Sequence, residues 1–104
     1  MADLKRGMVV LEAVKSPLRD SPAKILYAGL GKGNESGKTL FDVFIDGMYY
    51  GYFMLNGEIT TLEEAQRRLL APLKIDGEEE TVAEQAVRYR WVHVDDNDAY
   101  AYGD

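Results

Sequence analysis

The chain has no cysteine, one histidine, one tryptophan and three prolines. Without cysteine there is no disulfide, no thiolate nucleophile and no cysteine-based zinc site. That composition fits a reducing compartment, and a cytoplasmic location is the expectation. The lone histidine, His93, excludes His-His and His-Cys metal sets, so neither a metal nor a cofactor is expected. Ser16, Ser21 and Ser36 lie in expected loops with no nucleophile-elbow context. Glycosidase-type chemistry would need two carboxylates held in a cleft, and a small domain has little room for one. No enzyme is expected. No apolar run approaches the roughly 18 residues that mark a membrane span. The opening segment MADLKRGMVVLEAVK is interrupted by Glu12 before it resembles an export signal.

What the chain does have is an ordinary globular composition: 104 residues, 46% hydrophobic and 29% charged. This implies one domain with one core, with about 5 to 15 kcal/mol of stability on the usual scaling. The net charge of -6 is unevenly placed. Residues 1–75 carry ten Lys or Arg against nine Asp or Glu, whereas residues 76–104 carry two against nine. In the first forty residues the balance is seven to four in favour of base, so a surface tolerant of phosphate is compatible with an acidic chain. The expected organisation is a globular domain over residues 1–94 and a flexible acidic tail over 95–104, where four acids and two tyrosines accompany small residues.

Strands are expected at residues 8–15 and 24–30, apolar runs bounded by Pro17, Pro22 and a glycine-rich stretch. Two aromatic-rich runs flank Asp46-Gly47, the dipeptide favoured in a two-residue type I′ hairpin turn, which predicts strands at 39–45 and 48–55. Uninterrupted pairing from that turn sets Phe41 opposite Tyr52 and Leu40 opposite Phe53, leaving both faces largely apolar. Thr60-Thr61 with Glu63 or Glu64 after it resembles a capping box. With Leu62, Ala65, Leu69 and Leu73 at helical spacing, it predicts a helix over 61–71, limited by Pro72. Residues 76–80 read as a turn and an acidic helix start, and TVAEQAV as a short second helix. The alternation in VRYRWVHV predicts a last strand with Val87, Tyr89 and Trp91 on one side and Arg88 and Arg90 on the other, unless the helix runs on into it. The fold class is therefore α+β: a small antiparallel sheet of about five strands, one main helix and a short second one.

The segment GLGKGNESGKT carries Gly37-Lys38-Thr39, the end of a phosphate-loop motif. The motif requires glycine where this chain has Lys32, and a helix where it begins a strand, so the segment reads as a flexible basic connection. The aromatic constellation says more. Tyr49, Tyr50, Tyr52 and Phe53 share one strand, with Tyr89 and Trp91 near Arg88 and Arg90. One short helix covers one face of a small sheet. The other apolar face is then an oligomer interface, a partner surface or a platform on which bases stack.

The acidic terminus DDNDAYAYGD resembles the tails of bacterial and bacteriophage single-stranded-DNA-binding proteins, which recruit replication or transcription partners. Size, the lack of cysteine and the aromatic hairpin also look like the Drc type, small bacteriophage single-stranded-DNA-binding cofactors of a viral RNA polymerase. The resemblance implies sequence-tolerant binding of single-stranded DNA by a homo-oligomer in the host cytoplasm, with an RNA polymerase or replication protein as a further partner. On this reading Lys24, Lys32, Lys38, Arg88 and Arg90 meet phosphates, while Tyr49, Phe53 and Trp91 stack bases. Asp95, Asp96, Asp98 and Asp104 compete for the same surface or dock partners. The oligonucleotide-binding barrel common in this functional class has its helix between the third and fourth strands; here the helix is expected after the fourth. The alternative is an acidic inhibitor or adaptor of viral origin that binds protein, as a DNA mimic or host-takeover factor.

Overall fold

The computed structural model describes residues 3–15, 21–75 and 77–88. Its fold is α+β. Four strands, β1 (Val9–Val14), β2 (Ala23–Leu30), β3 (Lys38–Ile45) and β4 (Met48–Asn56), form an antiparallel meander in sequence order. Helix α1 (Leu62–Leu69) comes after the fourth strand, then β5 (Pro72–Ile75) and β6 (Glu78–Thr81) pair as a separate two-stranded sheet, and α2 (Val82–Arg88) comes last. Among the described residues no helix is long and apolar enough to cross a membrane.

The β3–β4 turn forms as the Asp-Gly pair dictates. Asp46 and Gly47 adopt φ of 56° and 75°, the two left-handed positions of a type I′ turn, and Ile45 pairs with Met48. The register then departs from the uninterrupted one. Phe44 pairs with Tyr49 but Val43 with Gly51, so Tyr50 is the extra residue of a β-bulge. Every later residue of β4 is thereby turned to the opposite face. Phe41 comes to lie opposite Phe53 and Leu40 opposite Met54, correcting the Phe41–Tyr52 and Leu40–Phe53 pairs. The cause is burial. The shift sends Phe53 and Leu55 inward beside Phe41 and Val43, and leaves Tyr52 and Met54 on the wetter side. Gly51, buried and at φ 152°, supplies a backbone geometry that a side chain would oppose.

The inner face of the sheet holds the core. Val10, Val14, Ile25, Tyr27, Phe41, Val43 and Phe53 are covered by Ala65 and Leu69 of α1 and by Ala83, Ala86 and Val87 of α2. Phe41 stacks on Phe53 at 5.6 Å and meets the edge of Tyr27 at 6.1 Å, geometries that add to the area they bury. Both helices begin at a threonine. Thr61 Oγ1 accepts from Glu64 N, and Thr81 and Glu84 exchange two bonds of 3.1 Å in a reciprocal capping box.

Two expectations at the C-terminal end are corrected. Residues 78–80, expected to start a helix, are a strand, because Glu78 pairs with Ile75 across a second Asp-Gly and Pro72 pairs with Thr81. Val87 and Arg88, expected to open a strand, are the last turn of α2. The small residues Ala83 and Ala86 let that helix pack closely, and Val87 is fully buried there. The rest of the expected strand, residues 89–94, lies outside the described residues, as does the tail.

Thr39 ties the end of the sheet remote from the Asp46-Gly47 turn. Its side chain is fully buried, and its hydroxyl donates to Gly57 O and accepts from Ile59 N, both at 2.8 Å. The residue that completes the phosphate-loop pattern thus has its hydroxyl spent within the fold. Thr39→Val keeps the shape and leaves the Ile59 amide and the Gly57 carbonyl without this partner. It is expected to cost about 1–3 kcal/mol, read as a lower urea midpoint at unchanged slope, whereas Thr39→Ser retains most of the stability.

Candidate functional site

Because the helices pack with the inner face, the side chains that alternate with the core define an outer face on the other side of the sheet. Register fixes its rows. Near the Asp-Gly turn run Lys24, Phe44 and Tyr49; next come Val9, Leu26, Asp42 and Tyr52; then Leu40 and Met54; and at the far end Lys38 faces Asn56. Apart from Asp42, the face is apolar and aromatic at its centre, and it carries lysine at both ends. Tyr49 and Val9 remain 43% and 46% exposed, and Tyr49 meets the edge of the Phe44 ring at 5.6 Å.

The N-terminal segment adds a cation to this face. Gly7 N donates to Tyr27 O and Tyr27 N to Met8 O, so residues 5–8 are strapped to β2. This holds the Arg6 guanidinium over Gly29, 3.7 Å from where a side chain there would begin. The glycine-rich connection, read from sequence as flexible, is hydrogen-bonded along its length. Gly31 N donates to Lys38 O, Glu35 N to Lys32 O and Ser36 N to Gly33 O, around a 3-10 turn at Gly33–Glu35. A Cβ at position 31 would stand 2.1 Å from Glu35 O, so only glycine lets this loop fold back. Arg6, Lys32 and Glu35 thereby border a pocket of about 520 Å³ whose sheet side is Ala28, Leu40, Asp42 and Tyr52.

Of the residues singled out in the sequence, the structure places Lys24, Lys38 and Tyr49 on this face and Lys32 at its border. Lys24 is shared with Glu12 at 3.6 Å, an exposed pair of small energetic weight. Two residues are corrected. Phe53 is 1% exposed beneath Phe41 and has no face to offer a base; the bulge puts Tyr52 on the outer face instead. Arg88 belongs to α2, across the core, where Nη1 lies 2.5 Å from Glu80 Oε2 while Gln85 donates to the other Glu80 oxygen. Arg90, Trp91, Asp95, Asp96, Asp98 and Asp104 lie outside the described residues. Arg6, Asp42 and Tyr52 are the site residues that sequence reasoning missed. The signal that could have found Tyr52 was Gly51, since an isolated glycine within a strand pattern marks a bulge. Among the described residues no group of His, Asp or Glu side chains gathers to hold a metal ion.

Charge divides with the layers. Residues 1–56, which supply the sheet, carry seven bases and six acids, whereas residues 57–88, which supply the helices and the small hairpin, carry four bases and eight acids. The excess of acid over base within residues 1–88 is therefore carried by the segment that supplies the helices and the small hairpin. Truncating one aromatic on each side of β4 reports this arrangement. Phe53→Ala is expected to lose about 3–5 kcal/mol, and Tyr49→Ala about 1 kcal/mol or less, both by denaturant unfolding. Equal losses would mean that the outer face is buried. Comparison with protein-family models, curated proteins and solved structures finds no match, so the functional reading rests on the residues of this face.

Proposed function

We propose that the chain binds single-stranded DNA on the outer face of its four-stranded sheet, with little dependence on sequence. The observation that carries this reading is the placement of Phe44 and Tyr49 in one row with Lys24, and of Tyr52 on the same face between that row and Arg6, Lys32 and Lys38. Any base can stack on an aromatic ring, for about 1–3 kcal/mol each, while the cations track the backbone and carry no sequence information. A duplex keeps its bases stacked on each other and offers them no such contact, so a single strand is the better ligand. Fewer acids on this layer than on the helical one favour the same polyanion.

Fluorescence anisotropy with a labelled oligothymidylate and a labelled duplex tests the proposal. Three to four phosphate contacts give an expected slope of log K against log salt of about -2 to -3. Tyr52→Ala and Tyr49→Ala are each expected to weaken binding about five- to hundredfold with a folded protein retained. A slope near zero, or duplex bound as tightly as single strand, would overturn the reading. A chain ending after Val94 is expected to bind more tightly than the full chain if residues 95–104, which hold four of the acids, compete with the strand. Absence of binding by both forms would favour the second reading, an acidic protein-binding adaptor. That reading draws on the eight acids of residues 57–88, among them the exposed Glu63 and Glu79.

A further inference from the structure

We infer that the pocket beside Tyr52 is a single-nucleotide site with a preference for guanine; this deepens the single-strand reading and rests on it for the strand that continues on either side. At about 520 Å³ the pocket is in the size range of small-ligand sites, and its chemistry is divided as a nucleotide is. Leu40 and Tyr52 form an apolar and aromatic surface of the kind on which a base lies. Arg6 and Lys32 stand at the border, one a planar fork suited to phosphate oxygens and the other a mobile point charge. Both come from segments whose backbone is fixed by hydrogen bonds, the strap on β2 and the 3-10 turn, so the stems of both cations are anchored at the border before a ligand arrives.

The third component decides the base. Asp42 sits directly across the strand pair from Tyr52 and lines the same pocket, as does Glu35, so a ring stacked on Tyr52 has the Asp42 carboxylate within reach of its edge. Ionised carboxylates only accept hydrogen bonds, and their two oxygens offer about four positions, so a carboxylate that already has a partner can still accept from a base. Guanine is the one DNA base with two adjacent donors, N1–H and the N2 amino group, on its pairing edge. Adenine and cytosine set a bare ring nitrogen beside their amino group, and thymine flanks its single N–H with carbonyls; a carboxylate repels each of these lone pairs. The site therefore reads one position in a strand that stacking otherwise holds without discrimination.

The test is an NMR titration of the ¹⁵N-labelled full chain with each of the four deoxynucleoside monophosphates in turn. The expected result is dGMP binding about tenfold more tightly than the other three, with amide shifts concentrated at Gly31, Lys32 and Tyr52. Asp42→Asn, which presents a donor as well as an acceptor, is expected to level the four affinities, and Arg6→Ala to weaken all four together. Equal affinities in the unaltered chain, or shifts that map elsewhere, would overturn the inference even if the Asp42 variant fails to fold. Salt-dependent oligonucleotide binding without a ranking among the monophosphates overturns this site and leaves the single-strand reading standing. A guanine preference with no oligonucleotide binding does the reverse.

Discussion

The extra residue at Tyr50 governs the rest of the molecule. A strand alternates its side chains strictly, so one inserted position reverses every residue beyond it. Here the reversal takes Phe53 and Leu55 into the core and presents Tyr52 and Met54 outward. It also stacks Phe53 on Phe41 at the centre of the apolar cluster, sets Tyr52 beside Asp42 on the outer face, and leaves the Tyr50 ring packed against the core from the bulge itself. Core and site share the same displacement, since the uninterrupted register would exchange Phe53 and Tyr52 between them.

That dependence explains which parts of the structure are legible in the sequence. The four strands, the Asp46-Gly47 turn, the Thr61 cap and the stop before Pro72 rest on local chemistry, and each falls where the local signal puts it. The register of β4 is decided by competition between Phe53 and Tyr52 for the interior, a comparison of burial energies that no window of residues contains. The same holds for β6. Three consecutive glutamates have weak strand preference, and only pairing with Pro72–Ile75 across the second Asp-Gly makes them a strand. Val87 and Arg88 continue the apolar-basic alternation of Tyr89, Arg90 and Trp91, yet the helix launched by Thr81 and Glu84 claims them first. For the site, the lysines and Tyr49 were visible as types. Arg6 was not, because its place over Gly29 depends on backbone bonds between residues distant in sequence.

Electrostatically the folded body is two unlike layers joined by a neutral core. The helices and the small hairpin absorb part of their own acid: Glu64 pairs with Arg67, and Glu80 is held between Arg88 and Gln85. On the sheet side, the Lys24–Glu12 pair is the described counterpart. The low overall pI of about 4.7 is thus an average over surfaces of different character, and a ligand approaching the outer face meets a potential that the average conceals.

The meander has a further consequence, in time rather than in space. Each strand of the main sheet pairs with its neighbour in sequence, so the sheet closes by short loops and with little topological delay. All four strands lie within residues 9–56, but the helices that cover their inner face come from residues 62–88. At ordinary rates of synthesis the intervening stretch takes about 2–6 s to appear, far longer than a hairpin needs to form. All four strands are thus synthesised before the residues that cover their apolar inner side. The exposed interval of this protein's biogenesis is therefore set by chain order, and it ends with the arrival of Ala83, Ala86 and Val87.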